Sequence, residues 1–185
     1  ANAINADLYK NYADVTAAVN AVDRSKNFKQ QADVDLMANA INDAIAALEY
    51  KDADYTAVDE AIALANSLNS DDYKNFSYVE TAINNVVRGK NITEQSSVDL
   101  MAKAINEAIS GLVYKDADYS KVNAAIAKAN ALDKTLYKNY SLVETALNSV
   151  AFGKNITEQS EVDAMALTLE NALAALEYKD ADYSR

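Results

Sequence analysis

The stretch QSSVDLMAKAINEAISGL, residues 95–112, decides the fold class of this protein. Its core-forming residues recur every three or four positions, at Val98, Met101, Ile105, Ala108 and Leu112. That spacing places them on one face of an α-helix. The stretch therefore predicts a long amphipathic helix that packs against neighbouring elements.

The same pattern recurs 64 residues earlier, at 31–48, and 64 residues later, at 159–176. The hexapeptide YKDADY repeats with the same step and begins at Tyr50, Tyr114 and Tyr178. A fixed step along the whole chain indicates internal duplication. The 185 residues therefore comprise nearly three copies of one unit rather than a single average domain.

Each copy contains three helical segments, A, B and C, in that order. In the middle copy, segment A runs from Tyr55 to Leu68, and segment B carries Val79, Ile83 and Val86. No stretch alternates convincingly with period two, so we expect no sheet. The predicted fold is all-α, with tandem three-helix bundles stacked head to tail into an elongated rod.

The predicted domain boundaries follow the repeat. Residues 1–52 form an incomplete first module (the end of helix A, then helices B and C), 53–116 and 117–180 form two three-helix modules, and 181–185 start a further helix A. An incomplete bundle exposes its core face, so we expect further residues or a neighbouring molecule to cover it. The hexapeptide, hereafter the linker, contains no Gly or Pro. We expect it to be stiff, either nearly continuous helix or a one-turn break.

Local signals predict where the helices begin and end. Two capping boxes are predicted at the start of segment B, Ser77 with Glu80 and Ser141 with Glu144. Gly89 and Gly153 are predicted to end segment B as C′ glycines. Segment C is predicted to start between Thr93 and Ser96, with Asn91 in the preceding turn.

The composition excludes several classes of function. The chain has no His, Cys, Pro or Trp and only 3 Gly. It therefore has no disulfide, no thiolate or imidazole metal site, no Ser-His-Asp triad and no glycine-rich phosphate loop. A net charge of −11 argues against nucleic acid and anionic lipid as partners. No apolar run approaches the roughly 20 residues that span a bilayer.

The segment DADYSKVNAAIAKANALDKTLY, residues 116–137, resembles the opening of FIVAR modules ("found in various architectures"). The family pattern continues with a second helix and then Gln-x-x-Val-Asp at the start of a long Ala-rich third helix. That motif is matched at 31–35, 95–99 and 159–163. The resemblance covers essentially the whole chain, although the middle segment at 137–150 is shorter and more β-branched than the commoner version.

The resemblance implies three-helix repeats in large secreted or cell-wall-anchored proteins of Gram-positive bacteria, including adhesins and multimodular carbohydrate-active enzymes. No catalytic residues are known for the family. We therefore expect a non-catalytic stalk or spacer, extracellular or cell-wall-anchored, monomeric and without a cofactor, whose partners are other domains of the same polypeptide. The alternative is an adhesin-type module that recognises a host matrix glycoprotein or a glycan.

The linker tyrosines are the candidate binding residues. Six of the 12 Tyr lie in the three linkers: Tyr50, Tyr55, Tyr114, Tyr119, Tyr178 and Tyr183. One interpretation is a repeated aromatic platform for sugar rings or a partner protein. The interpretation we favour is packing at bundle ends and module junctions, where an amphipathic ring leaves its hydroxyl in water. The exposure of these rings distinguishes the two.

Each linker also carries Asp-Ala-Asp, which is Asp52 and Asp54 in the first copy. A calcium loop draws six or more oxygens from a dense acidic run with a Gly at the bend. Two carboxylates without a Gly fall short of that, so we expect no metal. Asp52 or Asp54 is instead predicted to cap segment A.

Overall fold

A computed structural model describes residues 4–181. Within that range the chain forms eight α-helices and no β-strand, so the predicted all-α class is confirmed there. The helices are α1 (Tyr12–Asn20), α2 (Gln31–Ala46), α3 (Thr56–Ser67), α4 (Ser77–Asn84), α5 (Gln95–Ser110), α6 (Ser120–Asn130), α7 (Ser141–Asn148) and α8 (Gln159–Ala174).

The helices follow the repeat. Segment A corresponds to α3 and α6, segment B to α1, α4 and α7, and segment C to α2, α5 and α8. The segment predicted from Tyr55 to Leu68 is α3, which is one residue shorter at each end. Periodicity alone therefore placed this helix, because its buried residues recur at helical spacing.

Contacts divide the chain into two compact units. The first unit holds the chain up to Leu68 together with Ser77–Gly111, and so contains α1 to α5. In this unit α3 and α4 pack against α5, and α1 packs against α2. One buried cluster of this unit lies between α3 and α5 and includes Val58, Val98 and Ile105. Val15 of α1 and Val79 of α4 are fully buried as well.

The second unit holds Asn69–Phe76 and the chain from Leu112 onward, and contains α6 to α8. Both α6 and α7 pack against α8. One core cluster includes Val122 and Val162, and another includes Val143 and Leu169. The domains 1–52, 53–116 and 117–180 remain a prediction from the repeat.

Segment C begins where the sequence predicts. Helix α5 starts at Gln95, directly after a 3₁₀ turn at Ile92–Glu94. Asn91 Oδ1 accepts the Thr93 N–H at 2.9 Å, while the Asn91 N–H donates to Glu94 Oε2 at 3.2 Å. This reciprocal capping box satisfies two amides that a helix start leaves without partners. The third copy repeats it, and the predicted turn position of Asn91 is confirmed.

The predicted capping boxes of segment B are wrong. Helices α4 and α7 start at Ser77 and Ser141 themselves, so neither serine occupies the N-cap position. The residue before α7, Tyr140, makes no side-chain cap hydrogen bond. Glu144 lies instead 3.6 Å from Lys134, as an exposed ion pair.

The predicted C′ role of the loop glycines is also wrong. Helix α4 ends at Asn84 and α7 ends at Asn148, well before Gly89 and Gly153. Both glycines nevertheless have positive φ angles, 84° and 88°. This left-handed conformation turns the chain into the capping box of segment C, and glycine adopts it without a Cβ clash.

Candidate functional site

The linkers at 50–55 and 114–119 are extended, as is the described part of the third linker, 178–181, so the expected helical or one-turn connection is wrong. A linker forms isolated antiparallel bridges with two loops, one between segments A and B of its own copy and one between segments B and C of the next. The bridged pairs are Tyr9–Tyr50, Asp52–Asn91, Tyr73–Tyr114, Asp116–Asn155 and Tyr137–Tyr178. The linker backbone is satisfied by these loops rather than by a helical turn.

The lysine at the second position of a linker shows this double pairing most clearly. In the first unit, the Lys51 N–H donates to the Leu8 carbonyl at 2.9 Å, and the Lys51 carbonyl accepts the Ile92 N–H at 2.8 Å. In the second unit, Lys115 makes the equivalent two bonds, both at 2.8 Å. A residue held at both its amide and its carbonyl has little freedom to rotate about its backbone bonds.

A lysine–aspartate pair clamps the same position in every copy. The Nζ–Oδ1 distance is 2.9 Å in the first copy and 2.8 Å in the other two. The pairs are Lys10–Asp52, Lys74–Asp116 and Lys138–Asp180. These ion pairs are largely exposed, so they orient the linker more than they stabilise it.

The first tyrosine of each linker stacks on a tyrosine of the paired loop, forming what we term a tyrosine pair. The ring centroids lie 4.7 Å apart in Tyr9–Tyr50 and Tyr73–Tyr114, and 4.8 Å apart in Tyr137–Tyr178. The linker rings remain partly accessible, with Tyr50 42%, Tyr114 41% and Tyr178 68% exposed. One face of each candidate ring is therefore used for packing, and part of the ring remains in solvent.

The hydroxyls of a tyrosine pair also meet. Tyr73 Oη and Tyr114 Oη lie 3.4 Å apart. The hydrogen bond to Tyr114 is the main cause that raises the pKa of the Tyr73 hydroxyl above its ordinary value, and Tyr178 does the same to the pKa of Tyr137. The neutral form of the Tyr73 and Tyr137 hydroxyls is favoured because ionisation would remove the proton that each donates to its partner.

The second linker tyrosine has a different environment. Tyr55 is half-buried against the core, where its hydroxyl donates to the Val87 carbonyl at 2.8 Å and accepts the Lys90 N–H at 3.2 Å. Tyr119 makes the same two bonds, at 2.9 and 3.1 Å. These two candidates hold the loop before segment C in place. Tyr183 lies outside the described residues.

The predicted N-cap role of Asp52 or Asp54 is wrong, because the N-cap of α3 is Tyr55, whose side chain makes no capping hydrogen bond. Asp54, one residue earlier, binds the first residue of the helix instead. Its Oδ1 accepts the Thr56 hydroxyl at 2.6 Å and the Thr56 N–H at 2.9 Å. These bonds lower the pKa of the Asp54 carboxyl. Asp52 pairs with Lys10 instead. Within residues 4–181, no three His, Cys, Asp or Glu side chains are placed to share a metal ion.

Sequence reasoning missed a glutamine clamp at the start of segment C. The Gln95 side chain accepts the Asp54 N–H at 2.7 Å and donates to the Asp54 carbonyl at 2.8 Å. Gln159 holds Asp118 in the same way, at 2.6 and 3.0 Å. The available signal was the glutamine at 31, 95 and 159 in all three copies.

A second missed contact ties the loop before segment B to the end of segment C. Asn139 donates its side-chain amide to the Ala175 carbonyl at 2.7 Å and accepts the Glu177 N–H at 2.9 Å. Asn11 makes the equivalent bonds to Ala47 and Glu49. Asn139 matches the Asn-x-Ser glycosylation pattern, but its side chain has a structural role at the end of segment C.

Comparison with family models, curated proteins and solved structures finds no match to this chain. None of the helices in the described range is long and apolar enough to cross a membrane.

Proposed function

We propose that this chain is a non-catalytic spacer, built from FIVAR-like repeats of a larger secreted or cell-wall-anchored bacterial protein. Its three-helix modules stack head to tail into a rod that projects or separates other domains of the same polypeptide. It acts as a monomer and needs no cofactor.

The doubly paired linker carries this proposal. A flexible connection would leave the linker amides in solvent, whereas Lys51 and Lys115 are bonded on both sides. The tyrosine pairs and the Lys–Asp ion pairs add side-chain contacts at the same positions. Recurrence of all these contacts at a 64-residue step supports selection for junction geometry. A connection whose backbone is held on both sides is what a spacer requires.

Small-angle X-ray scattering of the full chain tests the rod. We expect the distance distribution of an elongated particle, and a compact globule would contradict the proposal. Lys115→Pro removes the amide bonded to the Asp72 carbonyl and should broaden the distribution. Lys115→Ala keeps that amide and serves as the matched control, with an unchanged distribution.

A second candidate function is recognition of a glycoprotein or a glycan. The observation that favours it is the partial exposure of the linker rings, which is largest at Tyr178. A screen of matrix glycoproteins and glycans against the full chain tests it. Saturable binding that Tyr114→Ala weakens and Tyr114→Phe preserves would support an aromatic platform and contradict a pure spacer.

A further inference from the structure

Helix α2 leaves exposed the face that the equivalent helices α5 and α8 bury. Val34 is 37% exposed, whereas the equivalent Val98 and Val162 are each 1% exposed. Helix α2 has no fully buried residue, while α5 and α8 each have three. The sequence periodicity of the three helices is the same, so the difference lies in what packs on them.

The repeats show what occupies this face elsewhere. In the first unit, Val58 and Ala61 of α3 share a buried cluster with Val98 and Ile105 of α5. In the second unit, α6 packs on α8 in the same way. Among residues 4–181, no α-helix precedes α1, so within this range no segment A helix packs on α2.

The uncovered surface is a groove with an apolar floor, which we term the open face. It has a volume of about 290 Å³. Its apolar lining residues are Val22, Val34, Met37, Ala38 and Ile41. Their counterparts in the second copy are core residues that contact or lie beside α3. The open face therefore has the shape that a segment A helix fills.

The open face also carries the polar groups that hold the linker tyrosine in the other copies. Val87 and Lys90 bind the Tyr55 hydroxyl through their backbone. Their counterparts one repeat earlier are the Asp23 carbonyl and the Lys26 N–H. Neither of these backbone groups has a hydrogen-bond partner among the described residues.

The glutamine of the first copy, Gln31, lacks the linker contact that Gln95 makes in the second copy. Gln95 contacts both Asp54 and Asp99 of its own helix. Its counterpart Gln31 retains the intrahelical bond, to Asp35 at 2.8 Å, but binds no linker within the described range. A linker backbone placed beside Gln31 would meet the same amide that holds Asp54.

The position of Arg88, which is Arg24 in the first copy, distinguishes between segment A helices by charge. Arg88 forms an ion pair with Asp59 of α3 and lies 4.8 Å from the centroid of the Tyr55 ring. In the third copy Phe152 replaces this arginine and contacts the Tyr119 ring at a tilted angle, with the centroids 5.1 Å apart. Asn123 takes the place of the aspartate there. The first copy has Arg24, which forms no ion pair in the described part of the chain and lines the groove.

We propose that the open face of α1 and α2 is a binding site for a linker followed by a segment A helix, of the type Asp-Ala-Asp-Tyr-Thr with an aspartate at the position of Asp59. The tyrosine hydroxyl binds the Asp23 carbonyl and the Lys26 N–H, and the aspartate binds Arg24. A second copy of this chain is a poor donor, because its own α3 and α6 are already packed on α5 and α8. The proposal rests on these contacts and is independent of the spacer role.

The probe is a fluorescein-labelled peptide with the sequence of residues 50–68, titrated with the full chain and followed by anisotropy. We expect saturable binding, with the ordering of a short helix limiting the affinity. Val34→Asp in the chain should weaken binding more than tenfold, because it places a charge in the apolar floor. Leu36→Asp, on the opposite face of α2, is the matched control and should leave binding unchanged.

Two peptide variants test the polar contacts. Tyr55→Phe should weaken binding by roughly five- to tenfold through the lost hydroxyl. Asp59→Asn should weaken it about threefold, and Arg24→Ala in the chain should remove that difference. Equal binding by all three peptides would mean that the face is only a non-specific apolar surface, and would overturn the proposal.

Joining the peptide covalently to the chain removes the need for it to bind tightly from solution. Joining a copy of residues 50–64 directly in front of Ala1 restores the register of the repeat. We expect a higher unfolding midpoint than that of the unmodified chain, and Val34→Asp should abolish the gain. The proposal fails if neither the peptide nor the extension has an effect. It also fails if sedimentation shows a dimer that Val34→Asp dissociates, since the occupant would then be a second copy.

Discussion

The ring of Tyr114 stacks on that of Tyr73, with the centroids 4.7 Å apart and an interplanar angle of 22°. The two residues are 41 positions apart in the chain, and the backbone bridge between them belongs to the second unit. The other two copies repeat this geometry. Each tyrosine pair thus joins a linker to the loop between segments A and B.

Tyr114→Ala should lower the thermal midpoint by roughly 4–8 °C, because it removes both the stacking and the apolar contact of the ring. The measurement is circular dichroism at 222 nm during heating. Tyr78→Ala is the control, since Tyr78 is 67% exposed and is expected to shift the midpoint little. Equal shifts in the two variants would show that the tyrosine pair does not stabilise the junction.

The same isoleucine in two copies should differ in its contribution to stability. Ile105→Ala empties a fully buried site and should cost about 2–5 kcal/mol. Ile41 is only half-buried, so Ile41→Ala should cost well under half as much. Urea unfolding of the two variants measures both values. Similar costs would mean that the open face is covered in solution.

Two glycines should respond in opposite ways to alanine. Gly153→Ala should destabilise by roughly 1–2 kcal/mol, because its φ of 88° is unfavourable for a residue with a Cβ. Gly111 caps α5 with an ordinary φ of −86°, and a Cβ there would meet its nearest neighbour at 3.4 Å. Gly111→Ala should therefore be neutral or stabilise by up to about 1 kcal/mol. Urea unfolding of both variants measures the two changes in stability, and equal losses would contradict the prediction.

Acid should weaken the capping boxes of segment C. The Lys154 side chain and then the Asn155 N–H lower the pKa of Glu158, and Lys90 and Asn91 lower that of Glu94. A carboxyl with a lowered folded-state pKa contributes stability above its unfolded pKa of about 4.3, which is lost as the pH falls through the folded value. We expect the urea concentration at the unfolding midpoint to decrease as the pH is lowered below about 4. Glu158→Gln should reduce that slope, and an unchanged slope would rule out this box as a source.

Much of the helical architecture could be predicted because its signals are local. The three- and four-residue spacing from Val98 to Leu112 defines a helix without reference to any other part of the chain. Asn91 and the start of α5 at Gln95 followed from capping chemistry within four residues. The error at Ser77 and Ser141 arose because a capping-box pattern also fits the first turn of a helix.

The candidate site was less predictable because its contacts are long-range. The sequence located the linker tyrosines but did not distinguish their environments. Only their partners separate Tyr114, which stacks on Tyr73, from Tyr119, which binds the backbone of Ala151 and Lys154. The glutamine clamp spans 41 residues between Gln95 and Asp54, a distance that periodicity does not address.

By itself, the sequence determined the all-α class, the 64-residue step and the position of segment C, because each depends on spacing within one segment or on identity between copies. Tertiary structure decided that the linker is extended, since its backbone partners come from two distant loops. It also decided that Val34 and Val98, identical in type and register, have different environments. Burial depends on which helix packs on a face, and no pattern within that face specifies its partner.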